Sequence, residues 1–167
     1  MRLQTLRPKK VLVLVLLGLL AIANPPSFAD SAHNFSAAIQ AHDLVAPDPT
    51  RCAELSSTIL GNGIATGLGK VTIEMHDCFS PSGPPFVFQN GQFTMTGQDG
   101  QLFGTYAGQL VLLPISSQTG TFGIEATYTI TGGSGRYQGA TGAGTATGTD
   151  NIFTGQVYLV LKGTLRF

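Results

Sequence analysis

From residue 54 onward the chain alternates apolar and polar residues with a period of two. In "GKVTIEMHDCF", Val71, Ile73, Met75 and Phe79 fall on one face, with Lys70, Thr72, Glu74 and His76 on the other. "GQFTMTG" sets Phe93 and Met95 against Gln92, Thr94 and Thr96. "FGIEATYTI" sets Ile124, Ala126, Tyr128 and Ile130 against Glu125, Thr127 and Thr129. "GQVYLVLKGTLRF" sets Val157, Leu159, Leu161, Leu165 and Phe167 against Gln156, Lys162, Thr164 and Arg166. Side chains of a strand alternate between faces, so this pattern predicts half-buried antiparallel strands. We expect about eight of them, near 55–65, 68–78, 86–96, 101–112, 121–131, 136–148 and 153–166, plus one short or broken element early on. "SPSGPP", "QNG", "QDG", "TGGSG" and "GTDN" supply turn chemistry between them. Such strands, joined by short hairpins, remove their exposed edges by closing. The expected fold class is all-β, a closed antiparallel barrel.

The glycine-rich stretch "ITGGSGRYQGATGAGTATGT" (130–149) tests that reading. A dinucleotide loop needs Gly-x-Gly-x-x-Gly between a strand and a helix. Here Gly133 and Gly135 are followed by Gly139, one position late, and no helical period follows. "GLGK" (67–70) lacks the Ser or Thr that a phosphate loop places after its lysine, since Val71 stands there. Small residues on a strand allow bending and close backbone approach, as a small barrel requires at its corners. No nucleotide or other cofactor is expected.

The N-terminus reads as an export signal. Arg2, Arg7, Lys9 and Lys10 precede an apolar run from Val11 to Ala23, and Ser27 and Ala29 take the small-residue positions of a cleavage site. The run is shorter than the roughly 20 residues that span a bilayer. The expected organisation is a signal peptide over 1–29, a loosely attached segment over 30–50 and a barrel over 51–167. Removing the signal leaves five Lys/Arg against nine Asp/Glu, a formal charge of −4. With no basic stripe, a nucleic-acid partner is not expected. In an exported chain Cys52 and Cys78 are expected to pair. A Cys78–His76 nucleophile pair lacks an orienting third group. His33 and His42 lie nine apart in a polar segment, which reads as solvated histidine rather than a metal site.

"YTITGGSGRYQGATGAGTATG" resembles the signature turn and strand of the allene oxide cyclase and dirigent-like barrel superfamily. "GIATGLGKVTIE" and "NGQFTMTGQDGQLFGTYAGQ" are similar, in the same order, to stretches of its exported bacterial members. The likeness covers about residues 60–167. It implies an antiparallel barrel with a central apolar cavity, in dimers or trimers. The plant branches act on oxylipins or steer coupling of phenolic radicals, using polar and acidic side chains inside the barrel. Here the alternation sets Glu74 and Glu125 on polar faces, and Asp77, near a strand end, is the one carboxylate that it can direct inward.

The expected function is therefore an exported barrel, periplasmic or secreted, that binds a small apolar ligand and has no assigned reaction. The candidate lining is Val71, Ile73, Met75, Phe93, Met95, Leu102, Tyr106, Leu110, Ile124, Tyr128, Leu159 and Leu161. Packed side chains filling a small barrel would give the same pattern. Three alternatives stay open: a cyclase or isomerase working by orientation, an outer-membrane barrel and an envelope scaffold. Alternation alone does not say which face points inward, and membrane association is not expected once the signal is removed. Intact-mass measurement of the exported protein is expected to give a chain beginning at Asp30, lighter by two hydrogens than its reduced form. A chain retaining Met1 would overturn the export reading.

Overall fold

The computed structural model describes residues 31–167, so the expected signal peptide lies outside the described residues. Eight strands run β1 (His33–Pro47), β2 (Leu55–Ala65), β3 (Gly69–Ser80), β4 (Phe86–Gly97), β5 (Gly100–Val111), β6 (Thr121–Gly135), β7 (Thr141–Asn151) and β8 (Gln156–Arg166). A single helical turn, α1 (Ser116–Thr119), precedes β6. Each strand pairs antiparallel with the next in sequence, and β8 returns to β1 to close the barrel. The apolar face of every alternating strand points inward. Val71, Ile73 and Met75 are buried, while Lys70, Thr72 and Glu74 are exposed.

The 30–50 segment is not loosely attached. From His33 it forms β1, which pairs with β2 over Ala37–Pro47 and with β8 over His33–His42. The barrel therefore begins well before residue 51. Phe35, Ala37 and Ile39 are its buried positions. Two of the first four inward residues are alanines, at 37 and 41, so the apolar face is faint in the sequence. Pro47 ends the strand rather than marking an independent arm.

Two separators also belong elsewhere. "QNG" is no turn. It is a bulge inside β4, where Asn90 takes φ 56° and one extra residue opposes both neighbouring strands. The bulge changes the inward parity from Phe86 and Phe88 to Gly91, Phe93 and Met95. A Cβ at Gly91 would stand 2.7 Å from the Tyr106 ring, so this glycine lets the tyrosine lie flat across β4. "TGGSG" completes β6, and the turn lies at 136–140, which delays β7 to Thr141.

The two barrel ends differ. At one, the connections 66–68, 98–99 and 136–140 are short. Tyr137, wholly buried, plugs this end and donates to the Gly67 carbonyl at 2.6 Å. Phe167 packs edge-on against Tyr137, with ring centroids 5.1 Å apart. At the other end lie the connections 48–54, 81–85, 112–120 and 152–155, two of which, 48–54 and 112–120, are longer than any at the plugged end. There the Cys52–Cys78 disulfide, with Cα atoms 5.3 Å apart, pins the β1–β2 loop onto β3. The loop that it closes is long enough for the bond to stabilise by roughly 3 kcal/mol in the chain-entropy model. Urea melts with and without reductant are expected to differ by about that amount. Coincident midpoints would show that the bond does not constrain the chain.

Candidate functional site

The barrel interior is incompletely filled. A cavity of about 50 Å³ lies between the plugged end and the long-loop end. On the scale at which one water needs roughly 10–15 Å³, it admits a few waters or a short chain of heavy atoms. Its wall is mostly apolar: Ile59, Ile73, Met75, Phe93, Ile124, Leu159 and Leu161. β7 creates the room. Its inward positions are Gly142, Gly144, Ala146 and Gly148, none with a large side chain. A Cβ at Gly144 or Gly163 would stand 2.6 Å from the Tyr128 hydroxyl, so both glycines make space for that ring.

The long-loop end of the cavity is acidic. Asp43 on β1, Asp77 on β3 and Asp150 on β7 all line it, with Ser57 on β2 and Tyr106 on β5. Ser57 Oγ donates to Asp43 Oδ1 at 2.6 Å. Tyr106 OH, placed by the β4 bulge, donates to Asp77 Oδ2 at 2.6 Å. Among the described residues, Asp77 Oδ1, Asp150 Oδ1 and the Tyr128 hydroxyl are buried without a hydrogen-bond partner. Above the acids a wider depression of about 430 Å³ shares Asp43, Phe79, Leu110 and Asp150 with the cavity and opens to solvent between Leu44, Val45, Ile152 and Phe153.

Burial controls the protonation of this group. It pushes the Asp77 carboxyl up to about 6, against the Tyr106 hydrogen bond that lowers it, and the neighbouring Asp43 raises it further. Burial pushes Asp150 up to about 7, reinforced by Asp43 and Asp77. Asp43 is raised by burial and held back by the Ser57 hydrogen bond. Burial raises Tyr128 to about 12 and, together with Asp77, pushes Tyr106 further still, so both phenols stay neutral. Among the described residues the one ion pair is His76–Glu74, at 2.9 Å on the outer face, so no cation within ion-pair distance neutralises the three acids. Among the same residues no group of three or more His, Cys, Asp or Glu converges on a metal-sized point.

Of the sequence-derived lining, Ile73, Met75, Phe93, Tyr106, Leu110, Ile124, Tyr128, Leu159 and Leu161 face the cavity. Val71, Met95 and Leu102 do not line it. They are buried nearer the plugged end, where β3 and β5 begin and β4 ends. Glu74 and Glu125 are outside, as the alternation predicts. Asp77 is inside, in phase with Ile73 and Met75. Sequence reasoning missed Asp43, Ser57 and Asp150. Asp43 keeps phase with Phe35, Ala37 and Ile39, but alanines at 37 and 41 leave that face faint in the sequence. Asp150 follows inward glycines that show no apolar face, and "GTDN" reads as a turn. Cys52 and Cys78 are both in the disulfide, so neither offers a thiol nucleophile. His33 and His42 are exposed.

Comparison with protein-family models, curated proteins and solved structures finds no match to this chain.

The raised carboxyls fix the sign of a pH effect. A carboxyl whose folded pKa lies above its unfolded value stabilises fully below the unfolded value and loses that contribution as pH rises through the folded one. For Asp77 and Asp150 that window runs from about 4 to 7. Asp150→Asn is expected to gain about 4 kcal/mol over the parent protein at pH 8 and nothing at pH 4. Parallel stability curves across this range would show that Asp150 is not a buried acid.

Proposed function

We propose that this chain is an exported barrel of the allene oxide cyclase and dirigent-like kind that binds a small, mostly apolar molecule inside the barrel. The observation that carries this reading is the cavity itself: an apolar wall with a few polar groups converging at one end, the usual make-up of a small-molecule site. The unpartnered atoms of Asp77, Asp150 and Tyr128 support it, because buried polar groups are normally hydrogen-bonded. The disulfide supports an oxidising compartment. The wider depression at the long-loop end supplies an entry path, and Met75, an unbranched thioether in the wall, allows the wall to adapt. The outer strand faces, rich in Thr, Gln and charged residues, oppose the outer-membrane reading, since a membrane barrel is apolar outside.

A cyclase or isomerase is the second reading, and one observation favours it. Asp150 has an acidity near neutrality and faces the same cavity as the Tyr106–Asp77 pair, the poise that general acid–base work needs.

Native mass spectrometry of the protein purified from the exporting cell, followed by denaturing extraction, tests the binding reading. A reproducible small compound is expected. Ala146→Leu, which fills the cavity from β7, is expected to melt as a single transition yet carry none. A parent protein that is empty from every fraction would favour a filled scaffold instead.

A further inference from the structure

Asp43, Asp77 and Asp150 come from three strands that are not neighbours, yet they meet at one end of one cavity. Burying a carboxyl without a partner is costly. Asp77 is only 3 % exposed and Asp150 only 7 %, and each leaves Oδ1 unpaired. The Tyr128 hydroxyl lines the same cavity farther along, over Gly144 and Gly163, and is not part of this acidic group. The two carboxyl oxygens can each accept a hydrogen bond from a group that enters this end of the cavity.

The character of a ligand for this end of the cavity follows from what surrounds it. An ionised carboxylate only accepts, so the partner must donate. An anion would be repelled by three acids. A lone hydroxyl would satisfy one acceptor and leave the charge unneutralised. A bare metal ion is disfavoured, because the donors do not converge on a metal-sized point. Phe88, Phe93 and Tyr106 also present aromatic walls, which suit an organic cation. The geometry points to a primary amine with an apolar body as the ligand, its ammonium group at the acidic end where Asp77 and Asp150 each leave Oδ1 to accept, and its body against Ile73, Ile124 and Leu159. This rests on the interior-binding reading and names the class of molecule that the interior takes.

An ammonium binds the ionised acids, so binding expels any protons that they hold. Asp43 on β1 and Tyr106 on β5 share the interior with Asp77 and Asp150; Arg51 in the β1–β2 loop and His76, on the outer face of β3, act on Asp77 only at longer range, and His42 is beside Asp43. Arg51 and His76 lie outside ion-pair distance of the acids. Since burial raises the acids, amine affinity must strengthen as pH rises through the neutral range, roughly tenfold per unit for each proton released.

The test uses hexylamine, hexanol and hexanoic acid against the mature, oxidised protein by calorimetry at pH 5.0, 6.5 and 8.0. Hexylamine is expected to bind at least tenfold tighter than hexanol at pH 8.0, and hexanoic acid not to bind at that pH. The hexylamine advantage is expected to shrink at least tenfold by pH 5.0, while hexanol stays level. Asp77→Asn and Asp150→Asn are each expected to weaken hexylamine at least tenfold and leave hexanol unchanged. The hexanol arm shows that the variant cavity is intact, and Glu125→Gln, on the outer face, serves as the unaffected control. Hexanol binding as tightly as hexylamine, or a pH-independent hexylamine affinity, would overturn the cationic ligand while keeping an apolar interior site. Binding of none of the three would overturn the interior-binding reading along with it.

Discussion

The bore of an eight-stranded barrel admits little more than one layer of side chains, and this volume limit governs the rest of the structure. Six strands present large apolar residues inward at several positions. β7 presents Gly142, Gly144, Ala146 and Gly148 instead. Without that smooth wall, Tyr128 would collide with its neighbours, since its hydroxyl lies over Gly144 and Gly163. The plugged end is filled by Tyr137, Met95 and Leu102, all with no measurable exposure. The same limit explains why the interior stays partly empty only where β7 faces it, and why the acids sit beside that space rather than within the dense end.

The acidic end is a departure from economy in an otherwise apolar interior. Two of its three carboxyls carry one strong hydrogen bond each, from Ser57 and from Tyr106. These bonds orient Asp43 and Asp77 but do not neutralise them. Asp150 answers to burial and to the other two acids alone. Replacing all three by apolar residues of similar size would remove a desolvation cost, so the arrangement is better explained by what it can hold than by stability. The Tyr106–Asp77 contact depends in turn on the β4 bulge, which turns the strand and clears Gly91 beneath the ring.

Period-two patterning made β3, β4, β5 and β8 legible to within a few residues, because each carries three or more bulky residues at inward positions. β1 and the start of β7 were not legible, for one shared reason. Their inward residues include alanine or glycine, which leave no contrast between faces. "QNG" misled because Asn-Gly favours a positive φ in a bulge as readily as in a hairpin turn. Most of the cavity wall could be read from alternation, but depth could not. Val71 and Met95 share the phase of Ile73 and Phe93, and only their distance along the barrel separates plug from cavity. The acids were harder still. Asp77 was legible through its phase with Met75, whereas Asp43 and Asp150 required knowing that β1 and β7 belong to the closed ring.

The pairing of β1 with β8 has a consequence for the order of events during folding. Every other pairing joins strands that are consecutive in sequence. The first strand gains its second neighbour only when the last one is present. Seven hairpins can form locally, but the ring stays unsealed until β8 is in place, with the edges of β1 and of the newest strand exposed. A chain delivered end-first through a narrow pore would therefore carry an open, strand-hungry sheet up to the last moment of its passage.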